Sequence, residues 1–544
     1  MTGYDVVVVG AGWAGMMALH HARQIRLAAH LLEAEPEVGG TWYRNRYPGL
    51  RCDIESIHYS YSFDEQLQQE WTWSERYATQ PELLAYARHV AERFDLHKDM
   101  SLSNRVDAMA FDKETDTWSI TTSTDRTIRA RWVIMATGAL SVPKSVIIPG
   151  RRAFTGEEYE TANWPAVPVD LTGKRVAVIG TGSSGIQVST AIAGDVEHLY
   201  VLQRTPSYSA PAHNRPLAPD ESRRAKSDYA ALRESNRHSL DGLALPSTGK
   251  SALEVTQKDR QREYDAIYRD GRPFRFLQAF TDVILDAKAN ADVADYLAAT
   301  IRARVHDPAV AEHLVPRGYP VGTRRICLDN GYYEIFNQDN VTLVDLLEDP
   351  IDQIVARGIR TRSGSEIRVD AIIYATGYDA FSGALDAVDI VGTAGQSLRA
   401  TWADGAKSYL GLMIAGFPNL FTITGPQSPS VLSNMFVSIE QHVGWVTDCL
   451  GFLRDCGATR IEASPAAQEE WTRTAAELAD ATLHRLGRSW YTGENVPGKP
   501  RVILPYVGGV GQYRLICDQV AANGYEGFTI TTPAAANNHV ARAS

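Results

Sequence analysis

Cysteine is scarce and scattered in this sequence: five residues in 544, Cys52, Cys327, Cys449, Cys456 and Cys517. An odd, dispersed set with no CxxC pair excludes a disulfide-stapled scaffold, a thiolate zinc centre and a dithiol redox pair, and it points to a reducing compartment. No metal site is expected. Long apolar runs are also missing, so no membrane span is expected. The N-terminus shows no basic stretch, apolar core or cleavage site, and Thr2 stands where a myristoylated glycine would, so the expectation is a cytoplasmic protein. Positive charge is in deficit: 54 Lys and Arg against 65 Asp and Glu leave a net −11, which argues against a nucleic-acid partner. With 44% hydrophobic and 22% charged residues the chain can bury a substantial core. Its length suits about three or four domains.

The stretch from Asp5 to Glu35, DVVVVGAGWAGMMALHHARQIRLAAHLLEAE, reads as strand, glycine turn, helix, strand and acid within one βαβ unit. Val6–Val9 is the continuous apolar run of a strand covered on both faces. Gly10 permits a tight turn, Gly12 lets the backbone approach a pyrophosphate, and Gly15 lets the helix pack closely on the strand. Unpaired N–H groups at the helix start suit phosphates. Glu33 comes 18 residues after Gly15, near the separation of about 20 at which an acid reaches a ribose hydroxyl. A second start, RVAVIGTGSSGIQ, repeats the spacing at Gly180, Gly182 and Gly185. Its following strand ends in Gln203, Arg204 and Thr205, where an arginine and a hydroxyl favour a 2′-phosphate and hence NADPH. Two dinucleotide motifs in one chain are far more specific than one.

Helical periodicity runs from Gln80 to Phe94, with Pro81 in its first turn. Hairpin strands are expected over Trp118–Thr122 and Thr127–Val133, then a buried strand over Arg131–Gly138. That strand ends in Ala136-Thr137-Gly138, a small-residue turn able to lie against a flavin or nicotinamide. Arg368–Asp379 reads as a second such strand, with Ala375-Thr376-Gly377. Pro216–Pro316 reads as a helical insertion with solvated charges, and Gln468–Arg485 as a helix. The two small-residue turns bracket the second unit, so the expected fold is α/β with two Rossmann-like dinucleotide-binding domains, the NADPH domain inserted into the flavin domain. Expected boundaries are 1–140 and 376–544 for the flavin domain, 141–214 and 323–375 for the NADPH domain, and 215–322 for the insertion; the two crossings are expected to make a hinge. Val38–Phe63 is too polar and glycine-rich for a simple strand, and a long loop of this content is more often functional than filler. The loop Ser489–Gly511, with Trp490, Asn495 and Lys499, suits a mobile lid with an exposed Trp and Lys.

Phe154–Pro165, FTGEEYETANWP, resembles the fingerprint FxGxxxHxxxWP of the type I Baeyer–Villiger monooxygenases, with Phe154, Gly156, Trp164 and Pro165 in register between two GxGxxG motifs. The similarity covers nearly the whole chain and is strongest to the phenylacetone and steroid monooxygenase branch, through stretches such as RYPGLRCDIES, VIGTGSSGIQ, VLSNM, SIEQHV and WYTGENVPGKPR. The resemblance implies bound FAD, NADPH as reductant, and insertion of one oxygen atom of O2 beside a ketone carbonyl through a C4a-peroxyflavin, giving an ester or lactone. It assigns Glu33, the loop Thr41, Trp42, Tyr43 and Arg44, and Asp53, Tyr59 and Val106 to the flavin, with Arg51 and Cys52 in the same RCD triplet. Thr181, Ser183, Ser184 and Gln187, then Arg204, Thr205, Arg324 and Trp490, fall to NADP. Arg325 matches the family's essential arginine with Asp53 beside it, as the catalytic pair; the residues alone leave open a second phosphate clamp next to Arg324. Ser430, Val431 and Met435 resemble the substrate loop, implying aryl-substituted, cyclic or steroid-like ketones, with sulfoxidation as a side activity. The expected partners are a ketone and O2, and the expected assembly a monomer or weak homo-oligomer.

Two positions depart from the family pattern. Glu160 stands where the fingerprint has His, which puts domain coupling and NADPH economy in question. Arg44 stands where relatives often carry Trp, which puts flavin-loop packing in question. The competing readings are a flavin monooxygenase acting on nitrogen or sulfur and an uncoupled NADPH oxidase; the disulfide reductase class lacks its dithiol here.

Overall fold

The computed structural model describes residues 2–532. β1 (Thr2–Val9), α1 (Trp13–Gln24) and β2 (Ala29–Leu32) form the first βαβ unit, with Val6–Val9 running parallel to Ala29–Leu32. Val6, Val7 and Val8 have no exposed surface, as a strand covered on both faces requires. The other edge of β1 pairs in parallel with β3 (Thr127–Met135). The hairpin strand and the buried strand expected here are therefore one element. Its first half answers Trp118–Thr121 antiparallel, and its second half is buried among parallel neighbours.

β4 (Arg175–Ile179), α2 (Ser183–Ile192) and β5 (His198–Gln203) form the second unit. They sit in a five-stranded sheet ordered Val341–Asp345, β5, β4, β6 (Ala371–Tyr374) and Glu157–Glu160, with every pairing parallel. The edge strand Glu157–Glu160 lies inside the FTGEEYETANWP stretch, and its three carboxylates hide the strand from an apolar pattern. Charge on an edge strand also blunts further pairing. β6 is shorter than the Arg368–Asp379 run because the chain turns away at Ala375.

β7 (Leu420–Thr422) returns to the first sheet beside β3, so the second sheet is inserted between two neighbouring strands of the first. The two crossing segments run side by side, Val142–Pro143 antiparallel to Tyr378–Asp379. The helical insertion has its own apolar centre around Tyr264, Phe276, Val293 and Leu297. α3 (Met435–Asp455), capped by the Asn434 side chain, shares the first domain's core with α1. Among the described residues no helix is long and apolar enough to cross a membrane.

Candidate active site

A cavity of about 1160 Å³ runs between the two glycine turns. At the first turn Gly10 has φ +106°, and a Cβ on Gly15 would lie 1.7 Å from the Gly10 carbonyl oxygen. Glu33 is buried at the end of β2; its carboxylate accepts the Ala11 N–H at 2.5 Å and the Glu35 N–H at 2.8 Å. Burial pushes its carboxyl up, and those N–H donors pull the other way. The Thr41–Arg44 turn follows: Gly39 N–H bonds Ala11 O at 2.9 Å, and the Gly40 backbone lies against Gly12. Trp42 is buried and donates to the Tyr59 hydroxyl at 3.4 Å. Thr41, Arg51, Cys52 and Val106 line the same cavity.

At the second turn Gly180 has φ +114°, and Thr181, Gly182, Ser183 and Ser184 line the cavity. Gln187, assigned to NADP, has its amide committed to joining the domains: it accepts from the Tyr47 hydroxyl at 2.9 Å and donates to Arg51 O at 3.1 Å. Tyr47, which the motifs did not mark, also has its hydroxyl oxygen 3.0 Å from that of Ser184, whose O–H can donate to it. Arg204, Thr205 and Arg324 line the far end.

Adjacent arginines Arg324 and Arg325 point to different tasks. Arg325 grips Asp53 with both Nε and Nη2, the latter at 3.0 Å, and Nη1 donates to the Val431 carbonyl at 2.6 Å. Its guanidinium lies 4.5 Å over the Phe274 ring from the helical insertion. Three remote segments thus hold one planar cation. Each partner of the ion pair keeps 23% of its side chain exposed, on the cavity wall. A guanidinium has five N–H donors; three are engaged with Asp53 and Val431 among the described residues, and the buried Tyr491 hydroxyl stands beside the others. Burial works against the charge of Arg325, but the charge and hydrogen bonds of Asp53 win and hold its pKa above the ordinary arginine value. Arg324 instead lies 4.5 Å over the Tyr319 ring and donates to Arg488 O at 2.7 Å. Its buried Nε has no hydrogen-bond partner among the described residues. The two adjacent arginines thus have different protein partners.

The comparisons with known proteins bear on what such a cavity does. A family profile described as "Pyridine nucleotide-disulphide oxidoreductase" matches residues 7–237; all five cysteines here are free. The chain is 38% identical to acetone monooxygenase (methyl acetate-forming) of Gordonia sp. (strain TY-5), over 97% of this chain and 99% of that one. It is equally identical to phenazine N-monooxygenase PhzNO1 of Lysobacter antibioticus, over 97% of each chain. A protein of Pseudooceanicola batsensis named Baeyer–Villiger monooxygenase is 36% identical over 96% of this chain and 95% of its own. A solved structure of oxidized steroid monooxygenase bound to NADP superimposes with a TM-score of 0.94 at 46% identity, covering 98% of this chain and all of that one. The chain belongs to the Baeyer–Villiger monooxygenase family.

Against that family the two departures acquire partners. Glu160, at the end of the edge strand, accepts from Arg151 at 3.0 Å; Arg151 also binds Glu158 and lies 4.3 Å over the Tyr374 ring. Arg44 donates to Ser141 O at 3.1 Å and stands 3.8 Å from Glu35, so hydrogen bonding ties the flavin loop to the crossing segment.

Four assigned residues do not line the cavity of this Baeyer–Villiger monooxygenase. Gly15 and Gly185 pack their helices against the preceding turns. Tyr43 is half-buried and packs under the Arg46 guanidinium, 4.5 Å away. Ser430 is fully buried behind Val431 and Met435, which do line the cavity.

The Ser489–Gly511 loop is strapped down where an exposed Trp and Lys were expected. Lys499 binds Asp379 at 2.6 Å, Ser382 at 2.8 Å and Asp386 at 3.2 Å, and half-buried Trp490 packs on Phe381 and Tyr491. Sequence reasoning also missed Asp241, a half-buried carboxylate with no ion-pair partner among the described residues. It accepts from Gln278 at 2.6 Å and Leu243 N–H at 3.1 Å, and its carbonyl accepts the Asn434 N–H at 2.7 Å. Burial pushes its carboxyl up to about 7, against the pull of its N–H donors and of Arg325.

Proposed function

We propose that FAD binds against the β1–α1 turn and NADPH against the β4–α2 turn, and that the enzyme inserts one oxygen atom of O2 beside a ketone carbonyl, giving an ester or lactone. The observation that carries this reading is the fixed Arg325 guanidinium, standing between the two glycine turns and the Val431–Met435 wall. The residues fit both nucleotides. A Cβ on Gly182 would meet nothing within 4 Å, so its backbone is open to a pyrophosphate. The buried, orphaned Nε of Arg324 suits a phosphate oxygen.

FAD bound there supplies the oxygen activation and NADPH the electrons, chemistry that side chains do not provide. The protein supplies position and charge. Arg325 stays cationic at any physiological pH and offers the N–H groups not engaged by Asp53 and Val431 to negative charge developing on oxygen. A preorganised donor of this kind is worth about 3 kcal/mol of barrier or more. Asp53 is a positioning residue: its bidentate grip fixes the guanidinium plane, and the Val431 carbonyl fixes the third direction. Val431 and Met435 give the pocket an apolar wall suited to aryl-substituted, cyclic or steroid-like ketones, with sulfides as secondary substrates.

The division we propose is a FAD domain of residues 1–140 and 376–544, an NADPH domain of 141–214 and 323–375, and an insertion of 215–322, working in the cytoplasm as a monomer or weak homo-oligomer. The deciding experiment gives purified, FAD-loaded protein NADPH and a panel of ketones, sulfides and amines, and weighs the products. Esters one oxygen heavier than the ketone support the reading. N-oxides without esters, or NADPH consumption matched by hydrogen peroxide alone, overturn it.

A further inference from the structure

The cation cluster at the far end of the cavity has a member that no motif marks. Lys144 follows the first crossing strand, and its N–H bonds Gly377 O at 3.1 Å, pinning it to the second small-residue turn. Its half-buried side chain lines the cavity together with Arg204, Thr205 and Arg324. Its ammonium donates to the Asn495 carbonyl, on the Ser489–Gly511 loop, at 3.3 Å. Among the described residues none of Lys144, Arg204, Arg324 and Arg488 has a carboxylate within 4.0 Å. Lys499, on the same loop, has two.

These charges oppose one another. Burial and then the charge of Arg204 lower the Lys144 pKa; burial and Arg204 likewise lower that of Arg324, against the pull of Tyr319. A partly desolvated group of like charges is unfavourable by itself and becomes favourable when an anion enters among them.

We propose that Lys144 is a third cation for the 2′-phosphate of NADPH, supplied by the inter-domain crossing, and that its Asn495 contact links that phosphate to the seating of the loop. This rests on the NADPH reading of Arg204 and Arg324. An ammonium on a four-carbon stem acts on a phosphate as a movable point charge, complementing the planar fork of an arginine. Because Lys144 sits where the chain passes between the sheets, the phosphate is felt at the hinge and at the loop together.

The test uses FAD-loaded Lys144→Gln, Lys144→Arg and Arg204→Gln beside the parent. Calorimetric binding of 2′,5′-ADP and of ADP is measured, with KM and kcat for NADPH and NADH. Lys144→Gln is expected to weaken 2′,5′-ADP and raise the KM for NADPH about 10-fold, while ADP, NADH and the NADPH kcat stay within about twofold. Lys144→Arg is expected to recover most of the loss. Equal losses for 2′,5′-ADP and ADP, or no loss for either, would overturn the proposal, since a lysine serving only the loop does not distinguish them. If Arg204→Gln abolishes the 2′-phosphate preference and Lys144→Gln leaves it intact, the Lys144 proposal alone fails. If the parent shows no such preference, the NADPH reading itself fails.

Discussion

The two glycine turns are near copies in backbone and opposites in charge. In the first, a Cβ on Gly10 would meet Ala136 O at 2.7 Å and one on Gly15 would meet Gly10 O at 1.7 Å. In the second, Gly180 would meet Ala375 O at 2.4 Å and Gly185 would meet Gly180 O at 1.9 Å. Each turn is thus wedged against the small-residue turn that ends its neighbouring strand, β3 or β6. What differs is the end of the next strand: buried Glu33 on one side, and Arg204 with its fellow cations on the other. The backbone builds the socket in both turns, and under the proposed reading the strand-end side chain selects the nucleotide.

The strongest way to break the parallel is to add a methyl group at the third glycine of each turn. Gly15→Ala forces a carbon into a carbonyl oxygen and is expected to yield colourless protein that does not take up FAD. Gly185→Ala is expected to stay yellow while its KM for NADPH rises about 100-fold or more, since such overpacking costs about 3 kcal/mol. Flavin absorbance and coenzyme titration separate the two. Next in size is charge: Arg204→Gln is expected to reduce the NADPH over NADH preference about 10-fold to 100-fold, the worth of a hydrogen bond to a charged group.

The same contrast between a built partner and a missing one recurs around Arg325, which grips Asp53 directly, while Asp241 feels its charge and has no ion-pair partner among the described residues. Asp53→Asn is expected to lower ester formation about 10-fold with flavin reduction by NADPH unchanged, measured by stopped flow beside product analysis. Asp241→Asn has the smallest effect and touches stability. A carboxylate raised in the folded state binds its proton more tightly there than when unfolded, so the parent loses stability as pH rises from about 4 to about 7. The Asn variant lacks that slope. Its melting temperature relative to the parent is expected to be about 1–3 °C higher at pH 8, with the gain shrinking toward pH 4.

Legibility in the sequence followed how local each feature is. Both βαβ units lie within some thirty residues, so spacing alone exposes them, and the inserted topology followed from the paired Ala-Thr-Gly turns. Glu157–Glu160 escaped because a charged edge strand has no apolar alternation. Asp53 and Arg325 lie 272 residues apart, and nothing in the local pattern of either announces the other; the resemblance paired them. Within the short Thr41–Arg44 turn, Trp42 is buried on the cavity wall while Tyr43 packs under the Arg46 guanidinium, a division that spacing alone does not announce. Trp490 and Lys499 read as exposed because their partners, Phe381, Asp379 and Asp386, sit more than a hundred residues earlier. Lys144 and Asp241 carry no motif, and only the folded chain shows what surrounds them.

The most direct test of the central claim is Arg325→Ala, assayed for flavin reduction by NADPH and for products by mass. The account predicts reduction near the parent rate, hydrogen peroxide in place of product, and ester formation down at least about 100-fold. Ester formation at the parent rate would contradict it.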